Sequence, residues 1–170
     1  MHSSVKSLLA LAVALSPVAL VSPALAADTK IEVSLWDKGA DSADIPDKMP
    51  DMGVGMSHSG DVAMARLGIR LDKTTVPAGK VTFDVVNASK DIVHEMIVAP
   101  LADPTRPLPY DTETMKVDED AAGHLGEVAE LDPGKTGALT LDLKPGDYVV
   151  YCNLPGHFDM GMWAELKVTG

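Results

Sequence analysis

The stretch YCNLPGHFDMGM, residues 151–162, places three metal-ligand side chains on one short segment. Cys152, His157 and Met162 follow one another with four residues in each gap, and Pro155-Gly156 predicts a turn before the histidine. Each of these side chains alone is common in an apolar core, where a buried cysteine behaves as a small hydrophobe. Packing alone does not explain why all three fall on one loop between two strand patterns.

This combination of side chains favours copper. Soft sulfur ligands with imidazole suit that metal, and one cysteine with two histidines and a weak axial methionine is typical of an electron-transfer copper site. The loop supplies one histidine, so a second must come from another strand. His94 is the best candidate because it shares one face of a strand pattern with Met96 and Val98. An inward histidine alone is more often a satisfied core residue, so the hypothesis depends on the loop.

Around this loop, apolar and polar residues alternate in short segments, as in half-buried strands. The alternating segments cover residues 31–35, 63–71, 81–85, 92–98, 139–143, 148–152 and 162–168. Turn sequences such as Pro77-Ala78-Gly79 and Lys144-Pro145-Gly146-Asp147 separate several of them. About seven to eight strands without a long amphipathic helix predict an all-β fold, an antiparallel β-sandwich.

Two stretches lack this alternation. Residues 38–60 are rich in Gly, Asp, Ser, Pro and Met and predict an irregular arm, whereas residues 99–125 predict a long surface loop with one helical turn. We therefore assign residues 27–61 to an N-terminal strand with a Met-rich irregular arm. Residues 62–170 are assigned to the copper-binding domain.

The first 26 residues have the pattern of an export signal. Lys6 precedes an apolar run over residues 8–20, and Ala24-Leu25-Ala26 forms a cleavage site of the small-x-small type. The run is shorter than the roughly 20 residues that a spanning helix needs, so no membrane anchor is expected. The sequence predicts a periplasmic protein that begins near Ala27.

The composition excludes several classes of function. The chain has 14 basic and 25 acidic residues and a net charge of −11, which disfavours nucleic acid and anionic lipid as partners. Its lone cysteine, Cys152, excludes an internal disulfide and a dinuclear site with two cysteines. The few histidines exclude multicopper oxidases, and no nucleophile motif of a hydrolase is present. We expect a carrier and not an enzyme.

The stretch from Tyr151 to Trp163 resembles the copper loop of the cupredoxins, the small blue type 1 copper proteins. Its spacing and its Pro-Gly-His step are similar to those of auracyanin and rusticyanin, whereas plastocyanin has a shorter gap from Cys to His. The resemblance implies a Greek-key β-sandwich with one copper near one end, cycling between Cu(I) and Cu(II). It implies His94, Cys152 and His157 as equatorial ligands and Met162 as the axial ligand.

One residue departs from the cupredoxin pattern. Many members have Asn or Ser directly after the first histidine, and that side chain helps to tie the two ligand loops together. Here the position is Glu95. A carboxylate near the thiolate is expected to lower the reduction potential unless it points to solvent.

Two functions remain open. In the first, the protein is a monomer that carries electrons between redox partners, such as a cytochrome with a basic face, which the acidic chain would attract. His157 is then expected at the surface, in an apolar docking patch with Pro155, Phe158, Met160 and Trp163. The second function is copper handling, resistance or delivery. It depends on a cluster of soft ligands in the arm, namely Met49, Met52, Met56, His58 and Met64.

Overall fold

The described part of the chain is built almost entirely from β-strands. The computed structural model describes residues 28–43, 66–103, 106 and 108–170. The strands within them are β1 (Thr29–Asp37), β2 (Leu67–Leu71), β3 (Thr75–Pro77), β4 (Gly79–Asn87), β5 (His94–Pro100), β6 (Tyr110–Asp111), β7 (Lys116–Val117), β8 (Gly126–Leu131), β9 (Thr136–Leu143), β10 (Gly146–Tyr151) and β11 (Trp163–Thr169). A 3-10 helix, Ala40–Ala43, follows β1, and a single-turn helix, α1 (Glu119–Ala122), follows β7.

Two sheets form a sandwich. One has the strand order β2-β1-β4-β9 and the other the order β3-β11-β10-β5-β8, while β6 and β7 make a separate small hairpin. The prediction of an all-β sandwich is confirmed. The described strands of the two sheets number nine, more than expected, because the sequence pattern did not reveal the short edge strand β3 or the charged edge strand β8.

The sequence predicted an antiparallel sandwich, but the strand pairing is a mixture of parallel and antiparallel. Strand β1 pairs in parallel with β4 and antiparallel with β2, so the N-terminal strand lies in the interior of its sheet. Strand β11 also pairs in parallel with β3. Alternation along a single strand shows which side chains face the core, but it carries no information about the direction of the neighbouring strand.

The main core lies between the two sheets. Alternate residues of each strand point into it, among them Ile31, Val33 and Leu35 of β1, which are at most 1% exposed. Cys152, Met160 and Met162 belong to the same buried cluster. The core therefore extends into the loop that carries the predicted ligands.

A second apolar cluster covers the outer face of the five-stranded sheet. Ile97, Val149 and Tyr151 point away from the main core and are buried by the segment after β5, which contributes Leu101 and Val117 among others. Both faces of β5 are therefore buried, as in a strand covered on two sides. Much of the segment predicted as a surface loop is a cover for this sheet, and its predicted helical turn is α1.

Several predictions fall outside the described residues. These are the export signal at 1–26 and the soft-ligand cluster formed by Met49, Met52, Met56, His58 and Met64. The boundary between residues 61 and 62 also lies there and stays a prediction. Among the described residues, no helix has the length and apolar character needed to cross a bilayer.

Candidate metal centre

The predicted ligands lie at one end of the sandwich, where strands of both sheets finish or begin. His94 is the first residue of β5, and Cys152 directly follows the last residue of β10. These strands are antiparallel neighbours, with Tyr151 opposite Ile97, so the end of β10 lies beside the start of β5. Residues 58 positions apart in sequence are thereby brought next to each other.

Three of the four predicted ligands converge. The ligand atoms of His94, Cys152 and His157 all lie within 4.8 Å of one another. Sγ of Cys152 is 3.4 Å from Nδ1 of His157, and the two imidazole rings meet edge to face with their centroids 5.2 Å apart. His94 and Cys152 are 0% exposed and His157 is 4% exposed, so the group lies in the protein interior.

Met162 is attached to this group through its backbone. Its N–H donates to the carbonyl of His157 at 3.0 Å, and its carbonyl accepts from the N–H of Cys152 at 3.1 Å. Its side chain is fully buried in the same apolar cluster as Cys152. The sequence predicted that the last strand begins at Met162. In the structure Met162 directly precedes β11, which begins at Trp163.

The segment Cys152–Met162, which we call the ligand loop, is held by its own turns. The N–H of His157 donates to the carbonyl of Leu154, and the N–H of Met160 donates to the carbonyl of Gly156. Gly156 and Gly161 have φ of 78° and 92°, backbone conformations that favour glycine. The Pro-Gly turn before His157 is therefore a requirement of the loop geometry.

His94 has a partner that the sequence did not reveal. Its Nε2 lies 3.1 Å from Oδ2 of Asp37, the last residue of β1, and the Asp37 side chain is only 2% exposed. The other ring nitrogen, Nδ1, is buried and has no hydrogen-bond partner. A buried nitrogen without a partner, on a ring close to a thiol and a second imidazole, fits the donor set of a copper ion.

Burial sets the electrostatics of the three converging groups. It raises the pKa of the Cys152 thiol to about 12 and lowers that of His157 to about 4. Burial also lowers the pKa of His94. The Asp37 carboxylate raises this pKa, but its effect is smaller than that of burial. The metal-free group therefore has a protonated thiol and neutral imidazoles at neutral pH, and a metal ion that binds there displaces the thiol proton.

Glu95 ties two parts of the site together, although it is not the expected Asn or Ser. Its Oε1 accepts from the N–H of Asn153 at 2.9 Å, which joins the start of β5 to the ligand loop. The side chain is buried and does not point to solvent. Burial raises the pKa of this carboxyl to about 7, since it is desolvated and has only partial compensation from the Asn153 amide.

Asn153 anchors the ligand loop to the part of the chain between β5 and β8 that covers the outer face of the five-stranded sheet, which we call the cover segment. Its Oδ1 accepts from the N–H of Val117 at 2.6 Å, while Nδ2 donates to the carbonyl of Val117 at 2.9 Å and to Oε1 of Glu119 at 2.8 Å. The side chain is 1% exposed, and these bonds satisfy its polar atoms. No sequence pattern marks Asn153, because its role depends on a segment that is distant in the chain.

The expected docking patch is wrong in part. Phe158, Met160 and Trp163 are buried, and His157 lies among them in the interior. Phe158 and Trp163 belong to the cluster on the outer face of the five-stranded sheet, while Met160 belongs to the main core. Their apolar character serves packing, which a linear pattern cannot distinguish from an exposed apolar surface.

A second group of ligand-type side chains lies at the surface. Glu119, His124 and Glu127 also bring their ligand atoms within 4.8 Å of one another, but His124 and Glu127 are exposed. This group has no sulfur ligand, and its carboxylates suit harder ions better than copper in a blue site. The buried group with Cys152 is the one whose chemistry matches copper.

Comparison with known proteins agrees with this chemistry. Residues 57–169 match the family described as copper binding proteins of the plastocyanin/azurin family. No protein in the curated set has a significantly matching sequence.

Solved structures of blue copper proteins are similar to this one. Reduced rusticyanin is 17% identical with a TM-score of 0.50, over 82% of this chain and 77% of its own. Reduced auracyanin from Roseiflexus castenholzii is 20% identical, with 85% and 99% covered and a TM-score of 0.49. Auracyanin A, a "blue" copper protein from Chloroflexus aurantiacus, is 18% identical, with 83% and 98% covered and a TM-score of 0.46. The rusticyanin likeness supports the sandwich fold.

Proposed function

Because the chain belongs to the plastocyanin/azurin family of copper-binding proteins, we propose that it is an exported carrier of single electrons between periplasmic redox partners. The observation that carries the proposal is the buried convergence of His94, Cys152 and His157. Copper, when bound there, supplies a one-electron couple between Cu(I) and Cu(II).

We assign four side chains to the metal. Nδ1 of His94, Sγ of Cys152 and Nδ1 of His157 would hold the metal as its strong ligands, and the thioether of Met162 would be the weak ligand. The free Nδ1 of His94 and the short approach of Sγ to Nδ1 of His157 support the first three. The full burial of Met162 and its backbone bonds to both loop ligands support the fourth.

The surroundings of these ligands suit transfer of electrons better than catalysis. The assigned ligands are almost completely buried, so a substrate has no open position beside the metal. The apolar core cluster around Cys152 and Met162 excludes water from the sulfur ligands. We therefore propose that the protein is not an enzyme.

The charge of the chain supports a choice of partner. Without residues 1–26, which contain Lys6 as their sole charged residue, 13 basic and 25 acidic residues give a net charge of −12. An acidic protein attracts a partner with a basic face, such as a cytochrome, and this attraction weakens with added salt. We propose a monomer that meets such partners transiently.

Copper handling stays the alternative. It rests on Met49, Met52, Met56, His58 and Met64, all of which lie outside the described residues. The buried and hydrogen-bonded ligand group suits a metal that stays in place while electrons pass, whereas a chaperone must release its metal.

The test is the visible spectrum and redox behaviour of the copper-loaded protein. We expect one copper per chain, an intense absorption from thiolate to Cu(II), and reversible bleaching by one electron per chain. Cys152→Ser removes the thiolate and should abolish the band, while the far-UV circular dichroism stays that of a β-protein because serine is similar in size. A Cys152→Ser protein that kept the band would refute the proposal.

A chelator experiment separates the two functions. An electron carrier should lose copper to a competing chelator slowly compared with its electron exchange with an added redox protein. Rapid loss of copper, with a second equivalent of Cu(I) bound by the wild type, would favour copper handling instead. A variant with Met49, Met52 and Met56 replaced by Leu should then lose that second equivalent.

A further inference from the structure

We propose that Asp37 is a positioning residue that fixes the ring of His94 for the metal and biases the bound copper toward Cu(II). The inference rests on the proposed function, since it concerns the same centre. Asp37 lies in β1, outside the matched residues 57–169, and nothing in the ligand pattern points to it.

The contact between Asp37 and His94 crosses the sandwich. Asp37 ends a strand of the four-stranded sheet and His94 begins a strand of the five-stranded sheet. Oδ2 and Nε2 are 3.1 Å apart, and both side chains are almost completely buried. A buried carboxylate is costly unless it is well hydrogen-bonded, so the fold keeps this one at a cost in desolvation.

Asp37 is itself held in place from two sides. Its Oδ1 accepts from the N–H of Gly39 at 2.7 Å, which fixes the carboxylate within the turn after β1. Ser89, in the loop before His94, also lowers the pKa of this carboxyl. Burial raises the pKa of the Asp37 carboxyl, but Ser89, Gly39 and His94 together outweigh it and hold that pKa below its ordinary value.

The loop that carries Ser89, between β4 and His94, is held by side-chain hydrogen bonds. Oγ of Ser89 accepts from the N–H of Asp91 at 3.2 Å and of Ile92 at 2.9 Å. Asn87, at the end of β4, accepts from the N–H of Ser89 and donates to the carbonyls of Ile92 and Leu131. These bonds hold the backbone that leads from β4 to His94, the partner of the Asp37 carboxylate.

This arrangement selects one tautomer of His94. An ionised carboxylate only accepts, so Nε2 must carry the proton and donate to Oδ2. The lone pair is then on Nδ1, the buried ring nitrogen that has no hydrogen-bond partner. The ring itself lies next to Cys152 and His157. A carboxylate on the distal nitrogen also makes the ring a stronger donor to a metal.

The charge of Asp37 favours one oxidation state. The carboxylate of Asp37 places one negative charge on the far side of the His94 ring, and it attracts Cu(II) more strongly than Cu(I) because the attraction grows with the charge of the ion. This difference is larger in a buried site than in water. Asp37 should therefore lower the reduction potential relative to a neutral side chain that accepts the same hydrogen bond.

The test compares Asp37→Asn with the wild type, and Asp41→Asn is the matched control. Asparagine keeps an acceptor for Nε2 and removes the charge, while Asp41 is an exposed acid in the adjacent 3-10 helix. We expect Asp37→Asn to raise the ratio of Cu(I) to Cu(II) affinity at least tenfold, an upward shift in potential of about 59 mV for one electron. Asp41→Asn should change that ratio less than twofold.

A second measurement uses the wild type without metal. Nitrogen chemical shifts in its NMR spectrum should show His94 as the Nε2–H tautomer, and Asp37→Ala should give a mixture of both tautomers. An Nδ1–H tautomer in the wild type would overturn the positioning role. Equal potentials for Asp37→Asn and Asp41→Asn, in proteins that keep the one-electron couple, would overturn the charge effect.

These outcomes are distinct from failure of the proposed function. A wild type that binds no copper, or has no thiolate band, would refute the function of the centre. The tautomer of His94 in the metal-free protein would still support or overturn the role of Asp37, because that measurement needs no metal.

Discussion

The ligand loop and the end of β1 serve the same centre in different ways. The loop supplies Cys152, His157 and Met162 within one contiguous stretch, and it lies inside the residues that match the copper-binding family. The end of β1, which we define as residues 36–39, supplies no assigned ligand and lies outside that match. Yet its Asp37 is hydrogen-bonded to the ring of the fourth assigned ligand, His94.

The difference teaches that ligands and the groups that orient them follow separate sequence rules. Ligand types are restricted by the chemistry of the metal, so they leave a recognisable pattern. A group that orients a ligand needs an acceptor at the right place, and any strand that reaches the site can provide it. Variants that affect the ligand loop and the end of β1 unequally test this separation between ligands and orienting groups.

The largest expected effect distinguishes the two histidines in the metal-free protein. His94→Ala leaves the Asp37 carboxylate buried without its partner, and we expect it to lower the free energy of unfolding by about 3 kcal/mol. His157→Ala loses the contact with the thiol and the packing on the His94 ring but leaves no buried carboxylate without a partner, so it should cost about 2 kcal/mol less. Urea denaturation measures both. Equal losses would show that the end of β1 does not hold His94.

A smaller effect is expected on the other side of the ligand loop. Asn153→Ala removes the bonds to Val117 and Glu119 and should lower the free energy of unfolding by about 2 kcal/mol. Thr114→Ala, which removes an exposed hydrogen bond in the same cover segment, is the control and should change it by less than about 0.5 kcal/mol. Similar values for the two variants would mean that the loop is held by its own turns alone.

A third variant disturbs the end of β1 without changing Asp37. A Cβ at Gly68 would lie 2.7 Å from Cζ2 of Trp36, so Gly68→Ala forces the indole to move. We expect a loss of about 1 kcal/mol in the free energy of unfolding. Gly146→Ala is the matched control, because its Cβ would make an ordinary van der Waals contact with Tyr148 at 3.8 Å. Thermal denaturation in which both variants lose the same stability would contradict the steric account.

The smallest change in stability is expected within the ligand loop. Met162→Leu and Met160→Leu both keep a buried apolar side chain and should cost less than about 1.5 kcal/mol. Voltammetry should separate them: Met162→Leu raises the reduction potential because a weak donor to Cu(II) is lost, while Met160→Leu leaves it nearly unchanged. Met162→Gln should lower it. The reverse pattern would assign the axial position to Met160.

The sequence predicted the sandwich and the convergence of His94, Cys152 and His157 because both depend on local rules. Alternation showed which residues of β1, β4 and β5 face the core, and the spacing of Cys152 and His157 indicated the loop. The parallel pairing of β1 with β4 and the burial of Phe158 and Trp163 depend on which segments meet in space. A single strand pattern does not contain that information.

The alternation along β1 indicates where Asp37 points, although it does not indicate that this residue orients a ligand. Ile31, Val33 and Leu35 occupy the inward positions of β1, and the next position of period two is Asp37. A carboxylate that continues an apolar face must find a buried partner, so it indicates a polar contact at the end of the strand. The partner itself, on the opposite sheet, could not be predicted without the fold.

The backbone bonds of the ligand loop have a consequence for the speed of the proposed electron transfer. Met162 is joined to both Cys152 and His157 by hydrogen bonds that do not involve their ligand atoms. The positions of the donors are therefore set by the chain, so little nuclear rearrangement should accompany each change of charge. Dipoles that are already oriented do not have to reorient during electron transfer, so the activation barrier of the transfer is lower. Loosening that backbone link should slow self-exchange of electrons even where the potential stays the same.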